Sequence, residues 1–160
     1  RGLRSGESEI AVEKLGRALV RHHLRPMHLA LSGGVSRRAR YRFFRDLGDD
    51  ARDLLLLALA DAAALRGDSP LAVWGGPGGR TVRELMAGHA EEAAALSAPP
   101  LLDGRDAMEA LELPPGPEIG RLLRLLREAQ AVGAVTTREA ALAYIRRMRD
   151  HPLDTSDPAP

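Results

Sequence analysis

Apolar positions in this chain recur at helical spacing. Between Glu7 and His23 one face carries Ala11, Leu15, Ala18, Leu19 and His22, which predicts an amphipathic helix with Ser5 as N-cap and Pro26 just beyond its end. Ser36 predicts the cap of a short helix, Arg37 to Leu47, that Gly48 closes in the left-handed conformation. Leu54 to Leu65 is apolar nearly all round, broken by Asp61; it predicts a central helix that Asp49 or Asp50 opens and that runs to Arg66 and Gly67. Residues 67 to 80 are too rich in glycine and proline for a regular element and read as a loop. Within it Trp74 either anchors the loop to the bundle or offers a face on which a base can stack. Thr81 and Glu84 match a capping box for a helix from Val82 to Leu96.

Ser97-Ala-Pro-Pro is the expected boundary between two small subdomains, 1–97 and 98–150. After it, Asp103 or Asp106 can cap a short helix ending near Leu111, and Pro114-Pro115-Gly116 prevents its continuation. Pro117 suits the first position of the next helix, where its missing N–H costs nothing; Ile119, Leu122, Leu123 and Leu126 form the buried face, and Gly133 is the expected stop. Thr136 and Glu139 suggest a second capping box, opening a last helix through Leu142, Ile145 and Met148. Residues 151–160 read as a disordered tail. No segment alternates as a half-buried strand does, so the expected fold is an all-α bundle of about six to seven helices.

Composition narrows the function classes. Cysteine is absent, which excludes disulfides and thiolate metal sites. No apolar run is long enough to span a bilayer and no secretory leader opens the chain, so the expectation is a cytoplasmic protein without a membrane partner. A first residue of Arg1 rather than Met suggests a piece of a longer protein. The net charge of +1 conceals a pattern: residues 1–60 carry 12 basic and 7 acidic side chains, residues 61–117 carry 4 and 9, and residues 118–149 carry 7 and 3. Two basic zones flanking an acidic middle suit a polyanion laid along part of the surface, and suit a solvated bundle exterior equally.

Catalytic chemistry is not visible. Nucleotidyl transfer needs carboxylates that hold divalent metal against a triphosphate, yet no Asp-x-Asp pair exists, and Asp49-Asp50 is explained as a helix start. His22, His23, His28 and Asp61 are the only plausible metal ligands, and their alternative reading is histidines at a helix end beside a buried, hydrogen-bonded aspartate. Arg37, Arg38, Arg40, Arg42 and Arg45 crowd one short helix around Tyr41, Phe43 and Phe44: either they form an RNA-facing patch, or Phe43, Phe44 and Leu47 are its core side and Arg38, Arg42 and Arg45 its solvated face. The helix from Pro117 is the stronger candidate: at about 100° per residue, Arg121, Arg124 and Arg127 fan over an arc of roughly 120° away from the apolar face, open to phosphates. Gly116 leaves room for a nucleic-acid backbone at that helix's N-terminus, or Pro-Gly-Pro is only a stop-and-start signal. Arg105, Arg138 and Arg146, with Arg147 and Arg149, could extend the surface.

Three stretches carry a resemblance to a known family: Gly104-Arg-Asp106, Pro115-Gly-Pro-Glu-Ile-Gly120 and Arg42-Phe-Phe-Arg-Asp-Leu-Gly48. Together with the Thr-x-x-Glu start of the last helix, they resemble the C-terminal part of the bacterial tRNA nucleotidyltransferases, the CCA-adding and poly(A)-polymerase family. Upstream, Val20-Arg-His-His-Leu-Arg-Pro26, Ser36 to Gly48 and Leu57-Ala-Leu-Ala-Asp61 look like the closing helices of the HD domain found in many of these enzymes. The resemblance implies that residues 1–97 are the distal part of an HD-like domain and 98–150 a tRNA-binding domain. It also implies that catalysis, with its Mg²⁺, belongs to an N-terminal nucleotidyltransferase head absent from this chain, which itself holds no cofactor. One of His22 and His23 would match a late HD-domain histidine and Asp61 its last aspartate, while the earlier His and the His-Asp pair are missing. The alternatives are a fragment of an HD-type phosphohydrolase and a helical scaffold that binds no RNA.

Overall fold

The computed structural model describes residues 5–150, and among them every regular element is helical. The α-helices are α1 (Ser5–His22), α2 (Arg25–Leu31), α3 (Arg37–Leu47), α4 (Ala51–Arg66), α5 (Pro70–Gly75), α6 (Arg80–Ser97), α7 (Gly104–Leu111), α8 (Pro117–Ala131) and α9 (Arg138–Asp150), with 3-10 turns at Gly48–Asp50 and Pro77–Gly79. The all-α expectation therefore holds. None of these helices is long and apolar enough to cross a membrane. The chain forms two compact units, the first ending at Ala93 and the second beginning at Ala94, a division that falls inside α6. The expected disordered tail lies outside the described residues, and Ser5, expected as a cap before the helix, falls within α1 itself.

In the first unit, Ser36 caps α3 as its sequence predicts, its Oγ accepting the N–H of Ala39 at 3.1 Å. Helix α3 buries Tyr41, Phe43, Phe44 and Leu47, and Gly48 ends it with a positive φ of 53°. Helix α4 buries Leu54, Leu55 and Leu59, yet leaves Leu65 in solvent. Two short helices differ from the expectation. Pro26 does not merely follow α1; it sits buried in the first turn of α2, where a proline lacks nothing the helix needs. Likewise Ser69 and Pro70 start α5 inside the supposed loop, with Ser69 Oγ accepting the N–H of Ala72 at 3.2 Å. Val73 and the half-buried Trp74 of α5 pack on Ala62, Leu59 and Ala63, so Trp74 anchors. Thr81 caps nothing, because the Pro77–Gly79 turn has already led the chain into α6 at Arg80. Gly79 makes that entry possible: a Cβ there would lie 2.5 Å from the Val73 carbonyl oxygen.

The second unit is a three-helix bundle. Asp103 caps α7 in a reciprocal capping box with Asp106, at 2.8 and 2.9 Å. Helix α7 ends at Glu112 in the left-handed conformation, φ 52°, a position that glycine would occupy with less strain. Pro117 opens α8, and Leu122 and Leu126 pack with Leu111, Ile145 and Met148. The last cap falls one residue later than the sequence suggests. Thr137, not Thr136, receives the N–H of Ala140 at 3.2 Å. Glu139 then lies in the first turn, where its own backbone N–H and the Thr137 hydroxyl hold its carboxyl below the ordinary value. Arg138 joins the first turn of α9 to Asp106 of α7, and Arg149 joins its last turn to the Leu111 carbonyl at 3.3 Å, so α7 and α9 run parallel. Arg121 of α8 reaches the Met148 carbonyl at 3.2 Å, which sets α8 antiparallel to both.

Candidate nucleic-acid interface

The three arginines that fan from α8 separate into two kinds. Arg127 donates to the carbonyls of Ala98 at 2.7 Å and Leu96 at 3.1 Å, so its guanidinium satisfies acceptors left open where α6 ends. Gln130, one turn further on, donates to Pro99 O at 2.8 Å and accepts from Leu101 N at 3.2 Å, holding the same connector. Arg121 is engaged as well: Glu118 accepts two of its N–H groups, at 2.9 and 2.6 Å, in addition to the Met148 contact. That bidentate pair draws the Glu118 carboxyl below its ordinary value and raises the Arg121 guanidinium. The expectation that all three guanidinium groups are open to phosphate is therefore corrected. Carbonyls and one carboxylate within the bundle claim two of them. Arg124 alone of the three is exposed, with no partner among the described residues.

The neighbouring helices divide in the same way. Arg138 forms a two-bond ion pair with Asp106, at 3.0 and 2.5 Å, which lowers that carboxyl from 3.8 to about 2. Arg149 bonds Leu111 O and Asp150, and Arg147 lies over the Tyr144 ring, 5.5 Å from its centroid. Arg105 of α7 and Arg146 of α9 are exposed and make no bond to the described residues. Gly116 stands at the N-cap of α8 with extended backbone and no capping side chain. Arg105, Arg124 and Arg146, on three different helices, are thus exposed cations that bond none of the described residues, beside the exposed but engaged Arg138, Arg147 and Arg149.

In the first unit the aromatic residues of α3 face the core, and Arg42 and Arg45 face solvent. Arg45 pairs with Asp46 at 2.7 Å and lies over the Tyr41 ring, while Arg38 is half-buried. Sequence reasoning counts Arg40 in the α3 patch and misses that it turns to α6. Its guanidinium bonds Glu92 at 2.8 Å and Glu91 at 2.6 Å, and Glu92 is only 1% exposed. The signal was Gly88, a helix-weakening residue inside α6: a Cβ there would lie 2.5 Å from Arg40 Cδ, so glycine makes room for the arginine to cross.

The weak metal candidates do not form a centre. His23 donates from Nδ1 to Val20 O at 2.7 Å. Asp61 is exposed, against the expectation of a buried aspartate, and lines with His23 an apolar cleft of about 680 Å³ floored by α2, α4 and α6; His22 is not among its walls. The described residues contain no group of three or more His, Cys, Asp or Glu side chains able to hold a metal ion.

Over 111 residues the chain is 40% identical to the CC-adding tRNA nucleotidyltransferase of Thermus thermophilus, a match covering 68% of this chain and 23% of that protein. Over 95 residues it is 41% identical to the A-adding tRNA nucleotidyltransferase of Deinococcus radiodurans, covering 59% and 21%. The chain is related to the bacterial tRNA nucleotidyltransferases. A CC-adding enzyme of Geobacter sulfurreducens matches over 58 residues at 43% identity. No protein-family model matches the chain, and no solved structure does.

The relation is partial, since the matched residues span less than a quarter of the length of the first two tRNA nucleotidyltransferases. It embraces relatives named for different additions, one for A and two for CC. What the relatives share with this chain is therefore compatible with either product.

Proposed function

We propose that these residues are an RNA-binding body of a tRNA nucleotidyltransferase, in which the second unit grips folded tRNA through phosphate contacts. The observation that carries the reading is the coincidence of this family relation with arginines on α7, α8 and α9 that no acid or carbonyl of their own unit has claimed. Phosphate contacts fix position without reading bases, which suits an enzyme that must accept many tRNAs. Nucleotidyl transfer and its Mg²⁺ belong, in this reading, to a head outside these residues, the described part offering no carboxylate cluster for the ion. The nucleotide added is chosen there as well, and the protein works where tRNA is processed, in the cytoplasm.

A competition experiment tests the reading. Fluorescent tRNA bound to the chain is challenged with unlabelled folded tRNA or with an unstructured RNA of equal length. Folded tRNA should displace the probe at the lower concentration. Equal competition by the unstructured RNA would point to non-specific charge, and absence of binding to the scaffold alternative.

A further inference from the structure

Helix α8 assigns different work to arginines that look equivalent in sequence. Arg124 points away from the face formed by Ile119, Leu122 and Leu126, and its Nη1 lies 3.9 Å from where a Cβ on Gly120 would be. The guanidinium thus lies along a helix surface that a glycine leaves bare, where a bulky polyanion can approach closely. One turn before Arg124 stands Arg121, and nearly two turns before it Glu118, opposite charges joined by two hydrogen bonds. Alone, Glu118 would repel any phosphate approaching this end of the helix. Its partner cancels that charge, and the Met148 carbonyl holds the partner in place.

We propose that Arg124 is the phosphate contact of α8 and that Arg121 is a positioning residue, aiding RNA binding by neutralising Glu118 rather than by touching the RNA. The proposal rests on the tRNA-binding reading above. It predicts an asymmetry that a simple basic patch lacks: the loss caused by removing Arg121 can be cancelled by removing Glu118 too, whereas the loss of Arg124 cannot.

The experiment measures the affinity of fluorescein-labelled tRNA for four chains over a range of KCl: unmodified, Arg124→Gln, Arg121→Gln, and Glu118→Gln with Arg121→Gln. Thermal melts by circular dichroism establish that each is folded, and Arg124→Lys, which keeps the charge, serves as a second variant. Arg124→Gln should weaken binding roughly fivefold and make the slope of log affinity against log salt shallower by about 0.7 to 0.9, the loss of one phosphate. Arg124→Lys should keep the original slope. Arg121→Gln should weaken binding, and the double variant should regain the unmodified affinity. A double variant as weak as Arg121→Gln would make Arg121 a contact and overturn the positioning role. An unchanged slope in folded Arg124→Gln would overturn the contact while leaving tRNA binding intact; failure of the unmodified chain to bind would overturn the tRNA-binding reading itself.

Discussion

The first unit leaves large apolar side chains in water, among them Leu24, Met27, Leu31 at 78% exposure and Leu65 at 88%, whereas in the second no described large apolar residue is exposed. Their arginines differ in parallel. In the first unit Arg40 spans two acids, one of them buried, to tie α3 to α6. In the second, Arg121, Arg127, Arg138 and Arg149 bind carbonyls and carboxylates at helix ends, closing a core that is already dry. The contrast teaches that an arginine count says little about RNA. What matters is which guanidinium groups remain after the fold has taken its share.

The largest expected effect separates the two apolar patterns. Leu122→Ala removes a fully buried side chain and should destabilise the second unit by about 3 kcal/mol, read from urea unfolding. Leu65→Lys should change stability by less than about 0.5 kcal/mol and reduce binding of an apolar dye. A large loss from Leu65→Lys would mean that the open cleft is part of the core. Next comes the distinction between clamp and contact. Arg127→Gln abandons two carbonyl acceptors and should cost about 2 to 3 kcal/mol, while Arg124→Gln should stay within about 0.5 kcal/mol. Equal costs would erase the distinction.

A smaller effect depends on pH. Arg138 depresses the Asp106 carboxyl to about 2 in the folded chain. A group whose pKa is lowered by folding stabilises the fold above its unfolded value and loses that contribution as pH falls through its folded one. The pair should therefore support the second unit fully above about pH 4 and lose its effect toward pH 2. Melting curves over that interval should fall more steeply for the unmodified chain than for Asp106→Asn. Parallel curves would show that the pair contributes nothing.

Much of this fold was legible in the sequence, because caps and apolar spacing are local signals. Ser36, Asp103, Pro117 and the Leu122 to Met148 face behave as their neighbours dictate. The errors share a cause. In sequence Pro26 and Pro70 read as breakers, though a proline is as good a helix start as a stop, and Thr81 loses its cap to a turn that forms only because Gly79 packs against α5. The candidate interface was half legible. Periodicity correctly turns Arg121, Arg124 and Arg127 away from the core, but the carbonyls that capture Arg127 sit about thirty residues earlier in the chain, beyond any local pattern.

If the arginines left over by the fold meet tRNA phosphates, the affinity must fall with salt through those side chains. Affinity of labelled tRNA should be measured against KCl for the unmodified chain and for a variant with Arg105, Arg124 and Arg146 all changed to Gln. Three neutralised phosphates predict a slope of roughly −2 to −3 for the unmodified chain, and a slope shallower by that amount in the variant. Two parallel lines, with the variant still folded, would mean that these three arginines do not meet the RNA.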